Sequence, residues 1–222
     1  MLRYFSPKEN EKQFISNDIL ISFNNDFYKI VAKNDIKKGT IVIKEIPSYH
    51  LFGEVNYDRM LQFLHVMITA NDSKIDTLYP RNDIELLDKN SPYNINLIKC
   101  IKEANYNKFD KIKDDLLLSE KLNEYYYKYL FNAFEMYNSP VLLFIGAMMN
   151  HSCQPNVKFY EKNNAMYFEA STDIKKGDEL TYSYLRNSKT KTNKDNKKYL
   201  IQHYNFECQC KLCIKVLDDS MR

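Results

Sequence analysis

Three of the chain's five cysteines, Cys208, Cys210 and Cys213, fall within six positions, and this crowding limits the fold more than any other feature. A closed tetrahedral metal site takes four ligands, so a tail that ligates a metal must fold back to a fourth donor elsewhere. The remaining cysteines are Cys153 and Cys100. Cys153 stands in a polar turn beside Pro155, where a short rigid segment holds a thiolate outward. Cys100, with Leu97, Ile98 and Ile101 around it, reads as a small hydrophobe on a helix. Structural zinc fits the spacing best, with an iron-sulfur site and unrelated free thiols as the alternatives. Five cysteines are too few to staple a secreted domain by disulfides, so ligation in a reducing compartment is the expected use of the cluster.

With 222 residues, 44% of them hydrophobic, and with 18 Tyr and 13 Phe, the chain has the apolar surface for a packed core and no room for two full catalytic domains. Its longest apolar run, Val141 to Met149, is too short to cross a bilayer, and Met1 to Asn10 lacks the apolar stretch of a signal peptide. Neither secretion nor membrane spanning is expected. The net charge of +3 is uneven. Residues 185 to 222 are rich in lysine, while the rest is close to neutral.

Periodicity divides the chain. Ile19 to Phe23, Phe27 to Lys33 and Thr40 to Glu45 are β-branched and aromatic, with turns at Asn24-Asn25-Asp26 and Lys37-Lys38-Gly39, which predicts a small β-meander. Leu118, Leu122, Tyr125, Tyr129 and Ala133 recur at helical spacing after a possible N-cap at Ser119, and Asn138-Ser139-Pro140 stops the pattern. Residues 51–140 therefore read as a helical insert following strands in 1–50. Val157 to Glu161 and Met166 to Ser171, joined by Lys162-Asn163-Asn164, predict a hairpin within 141–187. Asp35-Ile36-Lys37-Lys38-Gly39 recurs as Asp173-Ile174-Lys175-Lys176-Gly177, a repeated turn or, alternatively, a duplication. Asn187 to Lys198 reads as a basic, solvated loop opening the 188–222 tail.

Asn150-His151-Ser152-Cys153-Gln154-Pro155-Asn156, followed by Gly177-Asp178-Glu179-Leu180-Thr181-Tyr182-Ser183-Tyr184, resembles the two signature segments of SET-domain protein lysine methyltransferases. Asn132-Ala133-Phe134-Glu135-Met136 and His203-Tyr204-Asn205-Phe206-Glu207-Cys208-Gln209-Cys210 resemble the SET-and-MYND branch. Between Pro47 and Ser139 there are one cysteine and two histidines, too few for the MYND zinc finger that this branch inserts. Where the family usually has Gly-x-Gly-Leu, whose backbone approaches the cofactor, this chain has Phe27-Tyr28-Lys29-Ile30.

The resemblance implies a mostly β fold with a helical insert, an α+β SET fold of small twisted sheets in one domain, with a zinc-binding post-SET tail and one segment threaded under another near Asn150 and Tyr184. It implies an S-adenosylmethionine site at Asn150, His151, Asn132 and Phe206, with Tyr28 at the departed glycine segment, and zinc on Cys153, Cys208, Cys210 and Cys213. Tyr184 is the implied catalytic residue and Tyr204 a candidate wall of the lysine channel. Tyr182, two residues before Tyr184, is the implied influence on how many methyl groups are added, with monomethylation expected. The implied reaction is methyl transfer to a lysine of a histone or other protein, by a nuclear or cytoplasmic monomer. Two other function classes stand beside it: a non-catalytic zinc-stabilised interaction module of the same fold, and weak, salt-sensitive nucleic-acid binding through Lys189 to Lys198.

Overall fold

Alternating apolar residues build β2 (Ile19–Asn24) and β3 (Phe27–Ala32), an antiparallel pair with Ile21 opposite Ile30. The computed structural model that shows this describes residues 12–24, 27–50, 57–70, 72–79, 116–185 and 193–214. Cys100 and the first half of the stretch Asn187 to Lys198, residues 187–192, lie outside them. The chain divides into two compact units, one within residues 47–147 and one made of residues 9–46 and 148–222.

In the second unit β1 (Phe14–Ile15), β4 (Ile41–Glu45), β10 (Ala165–Ala170) and β9 (Val157–Lys162) form a sheet in the order β1-β4-β10-β9. A second sheet has the order β2-β3-β11-β8, with β8 at Asn150–His151 and β11 at Glu179–Tyr182. The predicted strands are therefore present, but they are not a meander, because β4 leaves β3 and pairs with β10 in the other sheet. Strand alternation specifies which side chains face inward; it does not specify the partner strand. The predicted hairpin of β9 and β10 turns at Asn163 and Asn164, whose φ of 49° and 56° match a two-residue type I′ loop. Ile30, Val42, Ile43, Met166, Phe168 and Leu180 are fully buried.

The repeated Asp-Ile-Lys-Lys-Gly segments meet each other. Ile36 and Ile174 exchange backbone hydrogen bonds of 2.8 and 2.9 Å. Asp35 accepts from Lys175 Nζ at 3.0 Å and Lys176 N at 2.9 Å, and Asp173 accepts from Lys37 Nζ at 3.0 Å and Lys38 N at 2.9 Å. Gly39 and Gly177 close each turn at φ of 87° and 90°, in the region that favours glycine. The correspondence extends beyond the turns, since β2, β3 and β4 recur in the same order and spacing as β9, β10 and β11. The backbone N–H of Lys176 and then the Lys175 ammonium hold the Asp35 carboxyl below the usual 3.8. Asp173 is lowered in the same way by Lys38 N–H and Lys37. A depressed carboxylate contributes stability above its unfolded pKa and loses it as pH falls. Asp35→Asn is thus expected to lower the unfolding midpoint at neutral pH, with the gap to the unsubstituted chain closing below about pH 4. Urea titrations at several pH values measure this, and the effect is small because the charges are exposed.

The first unit contains β5 (Tyr49–His50), α1 (Tyr57–Ala70), a 3-10 turn (Ser73–Thr77), α2 (Leu116–Asn132), β6 (Ala133–Met136) and β7 (Ser139–Leu142). Its strands form a sheet in the order β5-β7-β6. Leu61, Phe63, Leu64 and Met67 of α1 pack with Tyr125, Tyr126 and Tyr129 of α2 around Ile75 and Leu78. Lys128 is buried in this helix with its charge met by Glu124 at 2.8 Å and its ammonium bonded to Ile75 O at 3.1 Å. Ser119 lies inside α2, so it is not the N-cap, and the helix ends at Asn132 instead of continuing to Tyr137. Buried Phe134 and Met136 flank exposed Glu135 at a strand's period, and Tyr137 and Asn138 adopt positive φ to turn the hairpin into β7. No helix among the described residues is long and apolar enough to cross a membrane.

Candidate active site

β11 and β8 run parallel, with Thr181 opposite Asn150 and Tyr182 opposite His151, and Ser152 N donates to Tyr182 O at 3.1 Å. Two asparagines hold this pairing. The Asn150 amide nitrogen donates to Glu179 Oε1 at 2.7 Å and to Tyr28 O at 3.0 Å. Asn156 donates to Glu179 O at 2.9 Å and accepts from Thr181 N at 2.8 Å. Asn156 and Glu179 were visible in the signature segments, but nothing in those segments says that they fasten the two strands together.

Tyr184 follows the end of β11. Its hydroxyl donates to Met149 O at 2.9 Å. The Tyr182 and Tyr184 hydroxyls are hydrogen-bonded, and the two rings lie 4.9 Å apart. Tyr204 also stands 4.9 Å from the Tyr184 ring, with His151 at 5.3 Å and Phe206 at 6.2 Å. Burial first, and neighbouring phenols second, push both Tyr182 and Tyr184 above the usual phenol range, so each is a neutral hydroxyl at physiological pH. Tyr182 also packs edge-on against Phe159 and Phe168.

His151 Nδ1 accepts the backbone N–H of Tyr184 at 3.0 Å, and Nε2 lies 3.3 Å from Cys153 Sγ. Burial lowers its pKa to about 4, which keeps the ring neutral. Phe206 packs on it at 6.0 Å.

The four cysteines Cys153, Cys208, Cys210 and Cys213 have their sulfurs within 4.8 Å of one another. Cys153 Sγ is 3.6 Å from Cys213 Sγ and 3.9 Å from Cys208 Sγ. These are not disulfide distances. Sulfurs about 2.3 Å from a tetrahedral zinc stand about 3.8 Å apart, so the group has the donor set and edge length for such an ion. Burial, then the other thiols, raises Cys153 far above the thiol range; burial raises Cys213 to about 11 against a lowering hydrogen bond with Cys153, with Cys208 and Cys210 adding to the rise. Burial acts the same way on Cys210, but backbone N–H groups of Cys213 and Cys153 outweigh it and bring that thiol to about 6. The segment that presents the thiols starts from α3 (Asn193–Tyr204), where a solvated loop was expected up to Lys198. Its lysine- and asparagine-rich first turns carry no apolar period. The helix is anchored by fully buried Leu200, which packs with Cys208, Cys213 and Tyr204.

Thus Tyr184, Tyr182, Asn150, His151, Phe206, Tyr204 and the cysteines share the second unit. Tyr28 is there too, in an ordinary strand, its carbonyl engaged by Asn150 and its ring 5.0 Å from Phe23. Asn132 belongs to the first unit, where its buried amide donates to Lys128 O and Tyr79 O.

The SET domain family model matches residues 28–185. A putative SET domain-containing protein of Acanthamoeba polyphaga mimivirus is 32% identical over 199 residues, covering 83% of this chain and 72% of that protein. A protein-lysine N-trimethyltransferase of Mus musculus is 35% identical over 81 residues, which are 35% of this chain and 20% of the mouse protein. The chain thus spans most of the viral relative but only a fraction of the mouse one. Rubisco LSMT bound to sinefungin and monomethyllysine has a similar fold, with a TM-score of 0.57 at 13% identity over 86% of this chain and 52% of that one. Since the matched residues run from β3 through both hairpins to the tyrosine after β11, this chain belongs to the SET-domain family.

Proposed function

We propose that the chain is a protein-lysine N-methyltransferase that uses S-adenosylmethionine and carries one structural zinc. The observation that carries this reading is the Tyr184 hydroxyl, neutral and bonded to Met149 O, beside the parallel pair of β8 and β11 among aromatic rings. The family membership and the methyltransferase relatives support it.

Bound S-adenosylmethionine supplies a methyl group on a positively charged sulfur. Asn150, His151, Phe206 and the Tyr28 segment, all of the second unit, are the residues proposed to hold it. Both Asn150 amide hydrogens are committed within the chain, to Tyr28 O and Glu179, so its carbonyl oxygen is the acceptor it offers. A Tyr184 oxygen that donates to Met149 O and accepts from Tyr182 keeps one lone pair for polarised methyl hydrogens, a weak but directional contact. With its phenol pushed upward by burial, Tyr184 is not a base, so the lysine must arrive neutral. A neighbouring sulfonium favours that by like-charge repulsion. Tyr182, Tyr204 and Phe206 around it exclude bulk water, which allows close, in-line approach of the amine. Cys153, Cys208, Cys210 and Cys213 would hold the zinc.

Incubating the chain with labelled S-adenosylmethionine and core histones or a protein extract, then identifying label on lysine by mass spectrometry, tests the reading. Absence of labelled lysine, together with no cofactor binding in calorimetry, would favour the non-catalytic module. The Tyr182 hydroxyl occupies space beside Tyr184 and can hold a water there, which a methylated amine would have to displace. Monomethyl-lysine is therefore the expected main product, and Tyr182→Phe is expected to raise the dimethyl fraction several-fold. Product ratios at high turnover measure it.

A further inference from the structure

We propose that His151 is a positioning residue whose ring ties the Cys153 thiolate of the metal centre to the backbone of Tyr184, so that metal occupancy sets where the tyrosine stands. This rests on reading the four cysteines as a zinc site and Tyr184 as the catalytic tyrosine. The geometry points to it through both ring nitrogens. Nδ1 accepts from Tyr184 N at 3.0 Å, and a nitrogen that accepts carries no proton. The ring's N–H is therefore on Nε2, which lies 3.3 Å from Cys153 Sγ, within the range of an N–H donor to sulfur. One imidazole thus uses its acceptor on the tyrosine backbone and its donor on the Cys153 sulfur. The ring is held in place by Tyr184 at 5.3 Å and Phe206 at 6.0 Å, and it sits on β8, which is paired to the strand leading into Tyr184.

Hydrogen bonds to metal-bound groups from outside the ligand set orient the ligands and typically change metal affinity about 10–100-fold when lost. A donor to Cys153 Sγ also spreads the charge that four thiolates place around a divalent ion. When the metal leaves, Cys153 and the tail are free to move, His151 loses its fixed donor partner, and the acceptor that orients Tyr184 N–H moves with it.

Two substitutions separate the two contacts. Glutamine at this position can place its amide nitrogen near the site of Nε2 and retain the donor. Asparagine can place its amide oxygen near the site of Nδ1 and retain the acceptor. With zinc-loaded protein, chelator-driven zinc release is expected to be about 10-fold faster in His151→Asn and His151→Phe than in His151→Gln. The Tyr184 amide resonance is expected to shift in His151→Gln and His151→Phe more than in His151→Asn. Equal release rates in all three, or equal Tyr184 shifts, would overturn the proposal. An independent measurement needs no variant: in cadmium-113-substituted protein, a scalar coupling from the His151 Nε2 proton to the metal across the thiolate is expected, and its absence with four thiolates bound would also overturn it. Failure of the underlying reading looks different, since then neither zinc nor cadmium binds at one per chain.

Discussion

Tyr184→Phe is expected to lower methyl-transfer turnover by about 100-fold or more while S-adenosylmethionine affinity stays within about threefold. The substitution removes a single oxygen. The ring keeps its neighbours Tyr182, Tyr204, Phe206 and His151, so the shape of the site persists and ground-state binding has little reason to change. What disappears is the lone pair aimed at charge developing during transfer, and losing one positioned polar group of that kind typically costs about 10²–10³ in rate. Met149 O also loses its donor, at about 1 kcal/mol of stability, too little to unfold the chain. Turnover measured as S-adenosylhomocysteine release, set beside calorimetric cofactor affinity, decides the matter. Parallel losses in both would mean that Tyr184 acts on bound cofactor and not on the transition state.

Cys208→Ala is expected to reduce bound zinc from one per chain to nearly none and to remove the hydrogen-exchange protection of residues 193–214. The reason lies in magnitudes. Leu200, Cys208 and Cys213 are the buried residues of this cluster, and burying a leucine-sized side chain stabilises by about 1.5–3 kcal/mol. Ordering a tail of about twenty residues costs about 1–2 kcal/mol for each backbone unit before its helix hydrogen bonds are counted. Apolar packing on this scale leaves the segment marginal. A four-thiolate zinc contributes about 10–16 kcal/mol in small domains, enough to reverse the balance, and it joins the tail to the turn carrying Cys153. Metal analysis with exchange mass spectrometry gives the answer. Full protection of the tail in zinc-free protein would show that packing alone holds it.

The legible parts of this protein were those encoded by near neighbours in the chain. Alternation marked β2, β3, β4, β9 and β10 to within a residue or two. Paired asparagines marked the turn at Asn163 and Asn164, because those residues tolerate positive φ. The signature segments marked Asn150, His151 and Tyr184 as belonging together, and the cysteine spacing marked a cluster of thiols able to hold a metal. By contrast, the helix from Asn193 was hidden because one buried leucine and a tyrosine hold it, too little for an apolar period to emerge from the lysines and asparagines around them.

By itself the sequence determined β2, β3, β4, β9 and β10, the turns at Gly39, Asn163 and Gly177, and which chemistry-bearing side chains the chain owns, since periodicity and turn preference act over a few residues. Only the tertiary structure decided that β4 pairs with β10 and not β3, that the repeated Asp-Ile-Lys-Lys-Gly turns clasp each other, and that Cys153 stands 3.6 Å from Cys213. It also decided the use of the His151 ring, whose Nδ1 faces the backbone amide of Tyr184, far along the chain, while Nε2 faces the sulfur of Cys153 two residues on. The physical reason is common to all of these: a hydrogen bond or thiol contact depends on angles and separations of a few ångströms, and those are set by how whole sheets and their turns pack, which no local pattern of residues records.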